Sequence, residues 1–167
     1  MNTIESIIRQ LDLKPHPEGG YFKETYRSSG IIQPNSLTPD YSGERHYSTC
    51  IYFLLTSERF SALHRIKQDE IWHFYRGSAI RLHMISEDGK HTEHIIGNHL
   101  ENGEVPQLVV PGGYWFAAEL INPDSYALVG CTVSPGFSFE DFELKSRSDL
   151  SKLFPHLESI ISKLTYH

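Results

Sequence analysis

The sequence is poor in cysteine, in basic residues and in long hydrophobic runs. Only two cysteines, Cys50 and Cys131, occur in 167 residues. A disulfide-held scaffold is therefore excluded, and a chain of this length buries enough surface to fold without cross-links. Both cysteines lie in apolar, strand-like runs, which predicts free thiols in the core.

Basic residues are outnumbered by acidic ones. The chain has 15 Lys and Arg against 21 Asp and Glu, a formal net charge of -6. Binding to a phosphate backbone depends on clustered Lys and Arg side chains that displace counterions. No such cluster occurs in the sequence, and we expect no nucleic-acid partner.

Hydrophobic runs are short. The longest, Cys50 to Leu55, is far shorter than the roughly 20 residues that cross a bilayer, so we expect no membrane insertion. The first dozen residues contain Glu5 and Asp12, unlike a signal peptide, which is basic and then continuously apolar. These features predict a cytoplasmic protein.

Helical spacing occurs only near the two ends of the chain. Residues 2–12 are predicted to form a helix with its apolar side chains on one face, and Thr3 is a suitable N-cap residue for it. Residues 149–165 show the same periodicity, with Pro155 in the first turn of a second segment. We predict one domain, residues 1–167, in which these helices flank a body at 21–134.

The body between them is strand-like. Short runs rich in β-branched and aromatic residues alternate with Gly, Pro, Asn and Asp, which predicts an all-β sandwich or barrel. The turns at 76–78 and 87–90 are predicted hairpins, and Ser29 to Glu44 is a predicted surface loop. The nine predicted strands are Tyr21–Ser28, His46–Thr56, Phe60–Ile66, Glu70–Tyr75, Ala79–Ser86, His91–Ile96, Gln107–Val110, Tyr114–Leu120 and Tyr126–Val133.

Two segments resemble the cupin motifs. The stretch from His64 to Gly77, with Glu70 between them, resembles the first motif, in which two His and one Glu bind a metal ion. Pro111 to Phe116 resembles the start of the second motif, whose His completes the metal site. In both segments some of the motif's metal-ligand positions hold other residues.

Pro15 to Phe22 and Asp69 to Gly77 are similar to the uncharacterised cupin 5 family, a domain of unknown function. The resemblance implies a cupin-type jelly-roll β-barrel with an interior pocket, a homodimer, and no assigned reaction. Gly20 to Glu24 is also similar to a segment of the cupin sugar-nucleotide epimerases, which work without metal.

The residues at the family's metal positions argue against a cofactor. Ile66 and Phe116 stand where the motifs have His, and neither has a donor atom. His64 and Glu70 alone would bind a divalent ion weakly. His73 is expected on the opposite face of its strand from Glu70. We therefore expect no metal; if one binds, His64 and Glu70 hold it.

Without metal, His64 and Glu70 are the candidate base and acid. Epimerisation needs groups on both sides of the substrate, and Tyr26 or Tyr114 is the candidate second group. The alternative is a hydrogen-bonded pair of His64 and Glu70 with only a structural role.

Four further residues are candidates for ligand binding. Trp72, Phe74 and Phe116 form a candidate aromatic wall for a sugar ring or base, with ordinary core packing as the alternative. Glu24 is a candidate polar contact. Glu24 and Arg27 are an odd number of positions apart on one predicted strand, so their side chains are expected on opposite faces. Only one of the two is expected to reach the pocket.

The remaining histidines give a second candidate metal signal. His83, His91, His94 and His99 lie around one predicted hairpin. They form either a solvated surface or a cluster that binds metal adventitiously.

Together these features favour binding of a small polar ligand, carbohydrate-like or sugar-nucleotide-like, with metal-independent isomerase or epimerase chemistry at His64. A metal-dependent cupin enzyme, either a dioxygenase or a lyase, is one alternative. A small-ligand-binding module without catalysis is the other.

Overall fold

A computed structural model describes residues 3–166 of the chain. The helices in this range are α1 (Thr3–Gln10), α2 (Arg147–Leu153) and α3 (Glu158–Lys163). The strands are β1 (Lys14–Pro15), β2 (Tyr21–Arg27), β3 (Ile31–Ile32), β4 (Arg45–His46), β5 (Thr49–Thr56), β6 (Ser61–Arg65), β7 (Asp69–Gly77), β8 (Ile80–Ile85), β9 (His91–Ile96), β10 (Gln107–Val110), β11 (Trp115–Leu120), β12 (Tyr126–Ser134) and β13 (Glu143–Leu144).

Most strands belong to two antiparallel sheets. The larger has the order β1-β2-β5-β12-β7-β10, and the smaller has the order β13-β6-β11-β8-β9. Strands β3 and β4 form a separate two-stranded ribbon. The predicted all-β jelly-roll architecture is confirmed, and each of the nine predicted strands overlaps an observed one.

The main core lies between the two sheets, because alternate residues of each strand turn inward. From the larger sheet, Phe53, Trp72 and Val129 contribute to it; from the smaller, Leu82 and Phe116. All are fully or nearly fully buried. Burial of each such side chain contributes roughly 1.5–3 kcal/mol relative to exposure.

The helices cover part of the outer face of each main sheet. In α1, Ile7 packs against Leu54 on the outside of the larger sheet. In α2 and α3, Leu150 and Ile161 pack against Ile85 on the outside of the smaller sheet. The predicted terminal helices thus have a physical role, because each brings an apolar stripe to a sheet face.

The ends of the chain follow the prediction closely. Helix α1 begins at Thr3 and ends at Gln10; Asn2, at the start of the predicted segment, lies outside the described residues. Pro155 begins a short 3-10 turn between α2 and α3. Within residues 3–166 no helix has both the length and the apolar character needed to span a membrane.

One predicted hairpin is wrong. Strands β7 and β8, on either side of residues 76–78, belong to different sheets, so this turn is a crossover. Gly77 makes the crossover possible with φ of 109°, and a Cβ there would lie 2.1 Å from the carbonyl oxygen of Tyr126. The hairpin at 87–90 is confirmed, since Ile85 pairs with His91.

Two further details differ from the prediction. The expected loop from Ser29 to Glu44 contains β3 and a 3-10 turn, and it returns through β4 beside the cavity described below. Cys131 is buried, whereas Cys50 lies on the outer face of the larger sheet and is only partly buried. Both thiols are free, as expected.

Candidate functional site

A cavity of about 400 Å³ opens into the barrel, a volume typical of small-molecule sites. Strands of the larger sheet form most of its wall. Its lining residues are His16, Glu18, Phe22, Glu24, Arg27, Glu44, Arg45, His46, Thr49, Ile51, Phe53, His64, Ile66, Glu70, Trp72, Cys131, Val133, Phe137, Ser138, Phe139 and Phe142.

A buried ion pair lies at the cavity wall. The Nε2 atom of His64 is 2.9 Å from Oε2 of Glu18, and Ser61 donates a hydrogen bond to the other Glu18 oxygen at 2.9 Å. His64 is 2% exposed and Glu18 6%. The residue paired with His64 is therefore Glu18, which comes from the turn before β2, and not Glu70.

The protonation of His64 follows from its two partners. Its Nδ1 is 2.7 Å from the carbonyl oxygen of Ala62, which can only accept a hydrogen bond, and its Nε2 faces a carboxylate. Both ring nitrogens therefore donate, as in an imidazolium. Burial opposes this charge, but Glu18 outweighs burial and raises the pKa of His64. In turn, His64 holds the pKa of Glu18 below its usual value despite burial.

His16 is held in the opposite state. The backbone N–H of Glu18 donates to Nδ1 of His16 at 3.3 Å, so this nitrogen carries a lone pair. Burial lowers the pKa of His16, which keeps the ring neutral. The Glu18 carboxylate therefore contacts two histidines of the cavity, the charged His64 at 2.9 Å and the neutral His16 at 3.5 Å.

Glu70 is the titrating group of the cavity. Burial and the nearby Glu18 carboxylate raise its pKa to about 7, against the opposing effect of His64. The buried Cys131 thiol lies beside it, and burial together with the Glu70 carboxylate raises the pKa of that thiol well above its usual value. Near neutral pH, Glu70 is thus present in both protonation states.

The cavity mouth carries a second ion pair, Arg27 and Glu24. Two parallel hydrogen bonds of 2.8 Å join the guanidinium to the carboxylate. The expectation that these residues face opposite ways is wrong, because a bulge between Glu24 and Tyr26 shifts the register of β2 against β5. A bulge adds one residue and reverses the parity after it.

An aromatic segment, Phe137 to Phe142, covers one side of the cavity. Phe139 stacks on His16 with a centroid distance of 6.1 Å, and Phe142 meets the same ring edge-on at 5.9 Å. The segment is anchored where Phe137 N–H donates to Thr49 Oγ1 at 2.9 Å. Its 53% exposed Phe139 lies at the boundary between cavity and solvent.

Four predicted site residues line the cavity, namely His64, Glu70, Glu24 and Trp72. The indole N–H of Trp72 is buried and makes no regular hydrogen bond within residues 3–166, but it lies near the Glu70 carboxylate and opposes the rise in the pKa of Glu70. His73, as expected from strand parity, lies on the other face of β7, where its Nε2 is 3.0 Å from Thr132 Oγ1.

The other predicted site residues lie elsewhere. Phe116 is buried behind His64, with ring centroids 4.1 Å apart. Phe74 and Tyr114 are partly buried and pack against the main core, outside the cavity lining. Tyr26 is 55% exposed and also lies outside it. The geometry therefore does not bring either tyrosine to the polar groups of the cavity.

The donors in the cavity do not fit the metal site of the cupin motifs. Ile66 lines the cavity and Phe116 lies behind His64 without a donor atom. His64 Nε2 is already paired with Glu18. Among the described residues, three His, Cys, Asp or Glu donors converge within 4.8 Å only outside this cavity, and a transition-metal site needs three or four.

Sequence reasoning missed three important cavity residues. His16 and Glu18 lie in the connection before the first predicted strand, and Arg45 lies between the predicted loop and the second predicted strand. The sequence signal for His16 and Glu18 is that two ionisable residues come just before a pair of glycines. Gly19 and Gly20 have positive φ angles of 114° and 72°, which let the chain approach the barrel closely.

The two facing antiparallel sheets and the cavity between them define a protein of the cupin class. Residues 5–145 match the family described as cupin superfamily, DUF985, also named Cupin_5. The chain therefore belongs to this family, as the sequence motifs implied.

Relatives of similar length occur in distant organisms. The uncharacterized protein YML079W of Saccharomyces cerevisiae is 32% identical, covering 91% of this chain and 80% of its own. The crystal structure of protein SO0799 from Shewanella oneidensis has a TM-score of 0.88 and 37% identity, covering 99% and 98%. A hypothetical protein from Leishmania major has a TM-score of 0.90 and 36% identity, covering 99% and 100%.

A more distant likeness links the chain to other cupins. The oxalate decarboxylase from Bacillus subtilis has a TM-score of 0.56 and 15% identity, covering 92% of this chain and 37% of that one. At this identity the likeness shows the shared fold alone.

Proposed function

We propose that the cavity binds a small polyhydroxylated ligand and catalyses metal-independent proton transfer of the isomerase type, in which one group both removes and returns the proton. One observation carries the proposal: Glu70, with a pKa of about 7, lies in the same cavity as the charged His64–Glu18 pair. Groups with pKa values separated in this way are typical of acid–base sites.

The chemistry of the lining supports a carbohydrate-like ligand. Carboxylates such as Glu24 and Glu70 accept hydrogen bonds from hydroxyl groups, and Phe22, Trp72 and Phe139 present aromatic surface for the apolar face of a sugar ring. A ligand oxygen beside the Trp72 N–H, which makes no regular hydrogen bond and lies near the Glu70 carboxylate, would give this buried donor a partner.

In this proposal Glu70 is the group that gains and loses the proton. Its ionised form is the base and its protonated form the acid, and both are populated near neutral pH. Both N–H groups of His64 are held, by Glu18 and by the Ala62 carbonyl oxygen, so in this proposal His64 stabilises negative charge that develops on the ligand through its own positive charge. Glu18 keeps His64 in its charged form.

The experiment follows solvent deuterium into a candidate ligand. Hexoses, hexose phosphates and nucleotide-linked sugars are tested for binding by saturation-transfer NMR, and binders are then incubated with the protein in D₂O. We expect wild-type protein to exchange a carbon-bound hydrogen. Glu70→Gln should retain binding and lose exchange by about 100-fold or more, because Gln cannot accept the proton.

Glu143→Gln is the matched control. Glu143 pairs with Arg65 outside the cavity, so this variant should exchange at the wild-type rate. Binding by wild type without any exchange would refute the catalytic part of the proposal and favour a binding module. Exchange that survives in Glu70→Gln would refute the role of Glu70.

The metal-dependent alternative, a dioxygenase or lyase, receives no support from the donors. Their arrangement lacks the convergence of three ligands that such chemistry needs. If exchange in wild-type protein required added divalent metal and EDTA removed it, the metal-independent proposal would be wrong.

We also propose a homodimer through the outer face of the larger sheet. Residues on this face lie in one line across five strands, with Tyr26 opposite Cys50 and Ile71 opposite Val109 at its two ends. Tyr26, Tyr75 and Val109 are each about half exposed, and an exposed apolar face of this kind is typical of an interface.

Val109→Arg should shift the chain from dimer to monomer in analytical ultracentrifugation, because it places a charge in the proposed interface. Leu153→Arg is the control, since Leu153 is similarly exposed but lies on α2 beside the other sheet. A wild-type monomer at micromolar concentration would refute the proposed dimer.

A further inference from the structure

Three side chains with metal-ligand donor atoms lie together on the outer face of the smaller sheet, away from the cavity. Strands β8 and β9 pair with His83 opposite Glu93 and Ile85 opposite His91, which places His83, His91 and Glu93 on one face. Their donor atoms all lie within 4.8 Å of one another. His83 is buried, His91 is partly buried and Glu93 is exposed, so the cluster is open to solvent on one side.

Neighbouring groups fix the state of His83. Its Nε2 is 3.1 Å from Oε1 of Glu119, so this nitrogen carries the hydrogen and Nδ1 presents its lone pair to His91. Lys163 holds the same Glu119 oxygen at 2.6 Å. A histidine oriented by a carboxylate behind it is the usual arrangement of a metal ligand.

The distances between the donors suit a small metal ion. His83 Nδ1 is 3.0 Å from His91 Nε2 and 3.6 Å from Glu93 Oε1. Two ligands that each lie about 2.1 Å from a tetrahedral zinc ion are about 3.4 Å apart. A single ion can therefore contact all three donors after small side-chain adjustments.

Two basic side chains, Arg81 and Lys163, lie beside the cluster and pair with nearby carboxylates. Arg81 Nε is 3.6 Å from the other Glu93 oxygen, Oε2, and has no hydrogen-bond partner among the described residues. Because Arg81 lies beside Oε2, the Oε1 atom of Glu93 faces His83. The positive charges of Arg81 and Lys163 are balanced by Glu93 and Glu119, so a cation enters a region without excess positive charge.

We propose that His83, His91 and Glu93 bind one divalent transition-metal ion, with zinc as the best fit. Two imidazoles and one carboxylate are typical zinc ligands, and a solvent molecule completes the fourth position in such three-residue sites. The ion would join edge strand β9 to β8. This site is independent of the proposed function of the cavity.

The test is equilibrium dialysis of tag-free, metal-stripped protein against micromolar zinc, with bound zinc measured by mass spectrometry. Wild type should bind one zinc per chain. His91→Gln should weaken binding by at least about tenfold, and Glu93→Gln should do the same. The amide introduced by His91→Gln can still donate a hydrogen bond to His83, and circular dichroism should show that both variants fold.

His99→Gln is the matched control, because it removes an exposed histidine that pairs with Glu101 at 3.2 Å. It should retain one zinc. The proposal is overturned if wild type binds no zinc, if His91→Gln and Glu93→Gln retain it, or if His99→Gln loses it equally.

Discussion

Arg45→Met should lower the free energy of unfolding by about 3–5 kcal/mol, measured by urea denaturation at pH 7. Arg45 and Asp141 form a buried ion pair with side chains 4% and 0% exposed. Two hydrogen bonds of 2.8 and 2.7 Å join the guanidinium to the carboxylate. Removing the cation leaves Asp141 buried with only partial compensation.

The remaining partners of Asp141 explain why the loss is large. Gln68 donates to one carboxylate oxygen at 2.8 Å, and Lys67 lies 3.7 Å from the other. Neither replaces the two-point contact with arginine. Arg45 also donates to the carbonyl oxygens of Ser42 and Glu44, so its loss releases the segment before β4 from the cavity mouth.

Arg65→Met is the control for removing an arginine from a more exposed ion pair. Arg65 pairs with Glu143, and both side chains are about one-third exposed, so the variant should lose about 1 kcal/mol or less. Equal losses in the two variants would contradict the special role of the buried pair.

Glu70→Gln should make the protein more stable than wild type at pH 8, by on the order of 2 kcal/mol after allowance for solvent at the cavity. The pKa of Glu70 is about 7 in the folded chain and 4.5 for an ordinary Glu side chain. The folded state therefore binds this proton more tightly than the unfolded state. Its contribution is complete below pH 4.5 and is lost as pH rises through 7.

Gln has no proton to lose, so the stability difference between Glu70→Gln and wild type should shrink as pH falls from 8 to 5. Thermal unfolding across this range measures it. Glu24→Gln is the control in the same cavity, because it removes a favourable ion pair with Arg27 and should have the opposite sign at pH 8. If Glu70→Gln were less stable than wild type at pH 8, the prediction would be wrong, because favourable contacts of the ionised carboxylate would then outweigh the cost of burying it.

The strand pattern could be predicted from sequence because each strand turns alternate residues into one core. Several strand ends lie beside Gly or Pro, as at Gly20, Gly97 and Pro111. The turn at Gly77 could not be assigned in this way, since a glycine with positive φ suits both a hairpin and a crossover between sheets. Only the partners of β7 and β8 distinguish the two.

The site was predictable only in part. The cupin motif identified His64 and Glu70. Both lie on strands whose inward and outward faces are fixed by the apolar residues of the core. The parity of Arg27 depends on a bulge, which leaves no clear mark in the sequence. Glu18 reaches His64 across a sequence separation that no local pattern reports. The strands that form the cavity wall could therefore be predicted from short-range patterns. The ion pairs that set the charge of the cavity join residues far apart in sequence and could not.

The turn that carries His16 and Glu18 lies outside the main strands, yet it is fastened to them at several points. Ala62 N–H donates to the carbonyl oxygen of Glu18 at 2.7 Å, in addition to the side-chain contacts with Ser61 and His64. The charge state of the cavity is thus set by a short connecting segment. Exchange of that segment between relatives offers a route to new chemistry in an unchanged barrel, since loops diverge more readily than the elements that hold them.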